Sequence, residues 1–210
     1  MIRSRRNAAW KIIVGLVVSG AMLGAVWAVI APAIHTITGL AKSGDRVDGF
    51  LGREADNVFV ASAMFIGLLS MLAVIAAVAV WQWRAHRGPL MVIALWIGMT
   101  AAGGAAAGTG VALAHWRYGT PDRQGVLLTP ENRIAYFTEA PPVFMGHSVV
   151  QAAVTLLLPT ALAVLVYALM VVATPRDDLG GWPPERGRRS SGPEAGPKIT
   201  TAGTEPVHPA

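Results

Sequence analysis

The sequence predicts an all-α membrane protein: four transmembrane helices joined by two long extracytoplasmic loops and one tight turn. Two observations carry that prediction. The 17 basic and 12 acidic side chains all lie outside four apolar stretches, 12–34, 57–83, 88–116 and 140–174. Each stretch also exceeds the roughly 20 residues that a helix needs to span a bilayer. The segregation has an energetic cause, because a charge at the centre of a membrane helix costs about 2.5–3.5 kcal/mol even on the gentler insertion scale. Composition agrees: 53% of residues are hydrophobic and 14% are charged, against about 25% charged in soluble domains.

The elements follow in order. Residues 1–11 form a basic cytoplasmic N-terminus, with Arg3, Arg5, Arg6 and Lys11 and no acidic partner. Span one is placed at about 12–34; its apolar run is longer than the 7–15 residues of a usual signal-peptide core, so it is expected to stay uncleaved. The first loop, 35–56, mixes Lys42, Arg46 and Arg53 with Asp45, Asp48, Glu54 and Asp56. Val47, Phe50, Leu51 and Val58 recur near helical spacing there, which predicts a short amphipathic helix on the membrane surface. Span two covers about 57–83, and Arg84 and Arg87 occupy the turn that follows. Span three covers about 89–116 and begins at Pro89, where a missing N–H costs nothing.

The second loop, 117–139, again balances its charges. Its runs 126–129 and 134–138 flank Pro130-Glu131-Asn132-Arg133 and predict a β-hairpin, which alone is marginal. Span four is placed at about 143–173, with Pro159 inside it. After Thr174 the chain opens with Pro175-Arg176-Asp177-Asp178 and turns rich in Gly, Pro and Ser, so 175–210 is read as a disordered cytoplasmic tail. Basic residues flank the tail side of the spans while the long loops are balanced. The chain is therefore expected in the plasma (inner) membrane as a multi-pass protein with both termini cytoplasmic. Trp10, Trp81 and Trp83 mark the cytoplasmic interface, and Trp116, Tyr118 and Phe144 the outer one.

Small residues predict how the spans pack. Lipid supplies no hydrophobic drive for helix pairing, so close backbone approach must supply it. Gly20 and Gly24 in span one, and Gly104 and Gly108 in span three, form small-xxx-small pairs. They predict tight packing of these two spans, and homo-oligomerisation through the same faces is a second use for them.

The chemistry is sparse. With no cysteine, disulfide and thiolate chemistry are excluded. The formal charge of +5 sits at the membrane flanks rather than on one face, so nucleic acid is not expected as a partner. No ionisable side chain lies at the middle of a span, which argues against a proton relay. The embedded polar residues Ser19, Ser62, Ser70, Thr100, Thr109, Gln151, Thr155 and Thr160 are expected to bond within their helices. No phosphate loop, nucleophile elbow or paired catalytic carboxylates occur. The sequence therefore assigns no catalytic residue, cofactor or metal.

One constellation stands out: His35, Glu54, Asp56, His115, Glu139 and His147 all fall near the outer ends of the spans. Imidazoles and carboxylates suit zinc-like ions, but no two share a ligand spacing, and interfacial polar anchoring accounts for the same residues without any ion. The expected role is a non-enzymatic accessory or envelope-associated protein with the bilayer and a protein partner, or a second copy, as its contacts. A small transporter or channel is the alternative, and a membrane enzyme acting on lipid or envelope substrates is the next.

A set of short motifs carries a resemblance: Ser43-Gly-Asp-Arg46, Glu54-Ala-Asp56, Trp81-Gln-Trp-Arg-Ala-His-Arg-Gly-Pro89, Trp116-Arg-Tyr-Gly119, Glu139-Ala-Pro-Pro142 with Gly146-His147, and Thr174-Pro-Arg-Asp-Asp178. Over about residues 10–180 the chain resembles an actinobacterial, chiefly mycobacterial, family of membrane proteins of unknown function, DUF2567. The resemblance implies an inner-membrane protein of an actinobacterium, and brings no activity, substrate or cofactor. A GC-rich bacterial source fits the excess of Arg over Lys and the wealth of Ala, Gly and Val.

Overall fold

The computed structural model describes residues 2–123, 125–129, 132–146 and 148–174; the tail 175–210 lies outside them. Four helices, α1 (Ile2–Ile30), α2 (Ala55–Gln82), α3 (Pro89–Tyr118) and α4 (Val149–Val172), are long and apolar enough to cross a membrane. At 1.5 Å per residue even the shortest exceeds a hydrocarbon core of about 30 Å. A three-stranded antiparallel sheet, ordered β2 (Arg46–Phe50), β1 (Ile34–Leu40), β3 (Ile134–Glu139), caps one end of the bundle. The opposite end carries the start of α1 and the α2–α3 turn, a 3-10 turn at Arg84–His86.

The helix ends follow local chemistry. α1 stops at Ile30, earlier than 34, because Pro32 disfavours helical geometry in the residue before it and the next residues, Ile34, Thr36, Ile37 and Thr38, are mostly β-branched. α3 begins with Pro89 in its first turn and ends at Tyr118; the cap residue Gly119 still donates to the His115 carbonyl (2.7 Å) but takes a φ of 71°, which glycine adopts without strain and which stops the helix. α4 starts six residues later than the expected 143. Ser148 is its N-cap, accepting from the Gln151 N–H, while the Gln151 side chain accepts from the Ser148 N–H. α4 runs unbroken across Pro159.

Both loop expectations are corrected. Val47 and Phe50 lie on strand β2, not on a surface helix. Its hairpin with β1 turns through 41–45, where Gly44 takes φ 89° and Ser43 Oγ donates to Asp45 Oδ2 at 2.8 Å. Among the described residues of the second loop only Ile134–Glu139 is a strand, and it pairs with β1 about 100 residues away rather than with 126–129. Thr129 and Asn132 are instead joined to each other: the Thr129 N–H donates to the Asn132 carbonyl and the Asn132 N–H to Thr129 Oγ1, both at 3.1 Å. The physical reason is that a lone hairpin is unstable, whereas three strands with one covered face hold together.

Within the bundle α1 packs chiefly on α3, and α2 on α4. A Cβ on Gly20 or Gly24 would collide with the carbonyl oxygens of Ala102 and Ala106. The α3 side of this seam is Gly98, Ala102, Ala106 and Gly110, one every four residues; Gly110 abuts the Trp27 ring. Gly104 and Gly108 have open space around them and sit on the exposed face of α3, away from the seam with α1, whose close approach on α3 falls at Ala102 and Ala106. Trp27 is fully buried, donates from Nε1 to the Ala61 carbonyl at 2.8 Å and meets Phe65 edge-on, ring centroids 5.7 Å apart. Near the opposite end Trp81 meets Tyr167 in the same way at 5.3 Å, and the Arg87 guanidinium lies over the Trp81 ring, 4.1 Å from its centroid.

Candidate functional site

Strand alternation builds the site. Successive side chains point to opposite faces, so the register puts Ile34, Thr36 and Thr38 of β1, Asp48 and Phe50 of β2, and Ala135, Phe137 and Glu139 of β3 on one face. On β1, Ile34, Thr36 and Thr38 are buried, whereas His35 is exposed and points the other way.

Two buried hydroxyls on this face are satisfied by carboxylates. Thr36 Oγ1 donates to Glu139 Oε1 at 2.7 Å, and Thr38 Oγ1 donates to Asp48 Oδ1 at 2.5 Å. The second loop then crosses the sheet. Arg123 Nη2 donates to the same Glu139 Oε1, and its Nη1 lies 3.9 Å from Asp48 Oδ2. The hydrogen bond Arg123 donates to Glu139, reinforced by the negative charge of both carboxylates, raises the Arg123 pKa above its ordinary value. Arg46 ties the loop down from the side, donating to the carbonyls of Arg123 (2.9 Å) and Val126 (2.8 Å).

Between this polar face and the helix ends lies a cavity of about 680 Å³. Ile34, Phe50, Val58, Val143, Phe144 and Met145 form its apolar walls, and Thr36, Asp48, Arg123 and Glu139 its polar part. Val58 belongs to the first turn of α2, and 143–145 directly precede α4. A smaller cavity of about 270 Å³ lies on the other side of the Arg123–Glu139 pair, bordered by His115, Gly119, Thr120 and Pro121.

The six residues singled out from sequence divide among these places. His35 Nδ1 and Glu54 Oε1 approach to 3.4 Å, and Asn57 Nδ2 bridges Glu54 Oε2 (2.6 Å) to the Ala33 carbonyl (3.3 Å). Asp56 pairs with Arg53 at 3.7 Å in open solvent. His115 directs Nδ1 to the Val111 carbonyl at 2.9 Å and shares the small cavity with Glu139. His147 lies outside the described residues. The structure therefore brings His35 to Glu54, and Glu139 to Arg123 and Thr36, but not the set to one point. Among the described residues no group of three or more His, Cys, Asp or Glu could hold a metal ion. Sequence reasoning missed Thr36, Thr38, Asp48 and Arg123; the Ile-His-Thr-Ile-Thr alternation at 34–38 was the available signal for the first two.

Comparison with known proteins places this geometry in a family. The family model described as a protein of unknown function, DUF2567, matches residues 16–181. An uncharacterized protein of Mycobacterium tuberculosis and one of Mycobacterium bovis are each 47% identical to the chain over 170 residues, covering 80% of this chain and 88% of theirs. An uncharacterized protein of Mycobacterium leprae is 45% identical over 170 residues, covering 81% of this chain and 86% of its own. No solved structure matches. The chain belongs to the DUF2567 family.

Proposed function

We propose that this is a multi-pass plasma-membrane protein with both termini cytoplasmic, whose sheet end faces outward and serves as a non-catalytic binding unit for an envelope partner. The observation that carries the reading is the division of chemistry along the molecule. The polar groups that are organised into a network, Thr36, Thr38, Asp48 and Glu139 on the capping sheet and Arg123 on the loop that crosses it, sit beside a cavity. The bundle below is filled by Trp27, Phe65, Leu69, Leu95 and Met99, all essentially fully buried. Orientation is supported by charge: Arg3, Arg5, Arg6, Lys11, Arg84 and Arg87 lie at the end opposite the sheet, without acidic neighbours in sequence.

A transport reading has less support. Thr100, Thr109, Thr155 and Thr160 each donate to a carbonyl one turn back in their own helices rather than lining a lumen. Crosslinking of the full chain in intact cells, followed by mass spectrometry, tests the proposal. Crosslinks from the loop and sheet residues 35–56 and 117–139 to a recurrent partner are expected. Reproducible recovery of no partner, a second copy included, would overturn it.

A further inference from the structure

The cavity beneath the sheet has a composition that specifies the class of its ligand. Its volume of about 680 Å³ falls within the roughly 300–1,000 Å³ of small-molecule sites. Apolar walls from Phe50, Val58, Val143 and Phe144 gain by contact with apolar groups rather than water, and they sit level with the first turn of α2, where hydrocarbon gives way to the aqueous side. The polar part has a definite sign. Arg123 faces two carboxylates, Asp48 and Glu139, so the ionised side chains that line the cavity sum to one negative charge. The contacts that Thr36 and Arg123 make to Glu139 both go to Oε1, and the Glu139 side chain lines the cavity. Such a surface repels an anionic head and welcomes a hydrogen-bond donor.

We infer that this cavity binds an amphiphile, its apolar chain against Phe50, Val58, Val143 and Phe144 and its donor head, neutral hydroxyl or ammonium, on Glu139 and Asp48. The inference rests on the reading of the sheet end as a binding unit and names one of the things it binds. On the reading of the four helices as spans, the first turn of α2 lies at the end of a span, the level at which an apolar tail would sit.

The test uses the full chain in lipid nanodiscs and three photoreactive probes with the same diazirine-bearing alkyl chain: an alkyl glucoside, an alkylamine and an alkyl phosphate. Labelled peptides are located by mass spectrometry. The glucoside, the amine or both are expected to label the cavity walls at 50–58 and 143–146, each competed by its unlabelled form. The phosphate is expected to label there at least about tenfold less, the weight of one charge-assisted hydrogen bond. Which of the two donor heads labels decides between hydroxyl and ammonium. Glu139→Gln should lower amine labelling selectively, and Val58→Trp, which fills the cavity, should abolish labelling by all heads while the thermal transition of the purified protein is retained. If Val58→Trp fails to fold, Val143→Phe serves in its place. Equal labelling by the phosphate, or labelling confined to lipid-facing helix surfaces, overturns the inference. Loss of probe labelling with envelope crosslinks intact would sink the ligand and spare the binding unit; cavity labelling with no partner recovered would do the reverse.

Discussion

The helical body and the capping sheet are held together by different physics. In the body, α1 and α3 approach until the Gly20 and Gly24 backbones rest on the carbonyls of Ala102 and Ala106, and cohesion comes from van der Waals contact that only small residues permit. In the cap, three strands separated by up to about 100 residues are joined by register and by a polar clamp, Arg46 and Arg123 against carbonyls and carboxylates. A body built this way tolerates almost no added volume on its seam. A cap built this way can lose a contact and open locally without the helices coming apart, which suits a region that binds.

The sharpest way to break the contrast is a side chain on the seam. Gly20→Leu or Gly24→Leu drives a side chain into α3 backbone and should cost more than about 3 kcal/mol, at the upper end of overpacking effects; the measurement is thermal unfolding in detergent. Gly108→Leu, on the exposed face of the same α3, should leave that transition within about 0.5 kcal/mol, as surface substitutions do. Next in size is Arg123→Ala, which takes the guanidinium from part-buried Glu139 and from Asp48, leaving Glu139 its bond from Thr36, and should cost about 1–3 kcal/mol. Its effect should be confined to the cap, read as faster hydrogen exchange in 36–50 and 134–139 with the helices unchanged. Because the Arg123 pKa is raised, not lowered, the guanidinium stays charged throughout the neutral and alkaline range, so its clamp should show no pH-dependent loss there. Trp27→Phe removes the bond to the Ala61 carbonyl and should cost about 1 kcal/mol or somewhat more. Smallest is Arg53→Ala. Arg53 and Asp56 are 95% and 72% exposed, and such pairs contribute about 0–1 kcal/mol, so no measurable change in the thermal transition is expected.

The same contrast explains which features were legible in the sequence. The four apolar helices follow from charge segregation, a local property that needs no knowledge of neighbours. The sheet did not follow, because β1 is the middle strand and both its partners are set by pairing; β3 is recruited from about 100 residues away, and the 126–129 run beside it looked an equally good mate. The glycines of α1 were legible as close-approach positions, but on α3 the Gly104-xxx-Gly108 pattern drew attention from the stripe Gly98, Ala102, Ala106 and Gly110, where alanine serves as well as glycine. Depth alone placed Glu139 and the His35–Glu54 pair near one another in level. Which carboxylate meets Arg123 depends on strand register and on the path of the second loop, and neither is written in composition or spacing.

The central claim is that the sheet end faces outward while the basic end and both termini face the cytoplasm. Site-directed thiol labelling tests it most directly, since the chain has no cysteine and carries no background. Ser43→Cys, in the β1–β2 turn, and Ser190→Cys, in the C-terminal tail, are exposed separately to a membrane-impermeant maleimide on intact cells. The account predicts labelling at position 43 before permeabilisation and at position 190 only after it. Labelling at 190 but not at 43 in intact cells would contradict it.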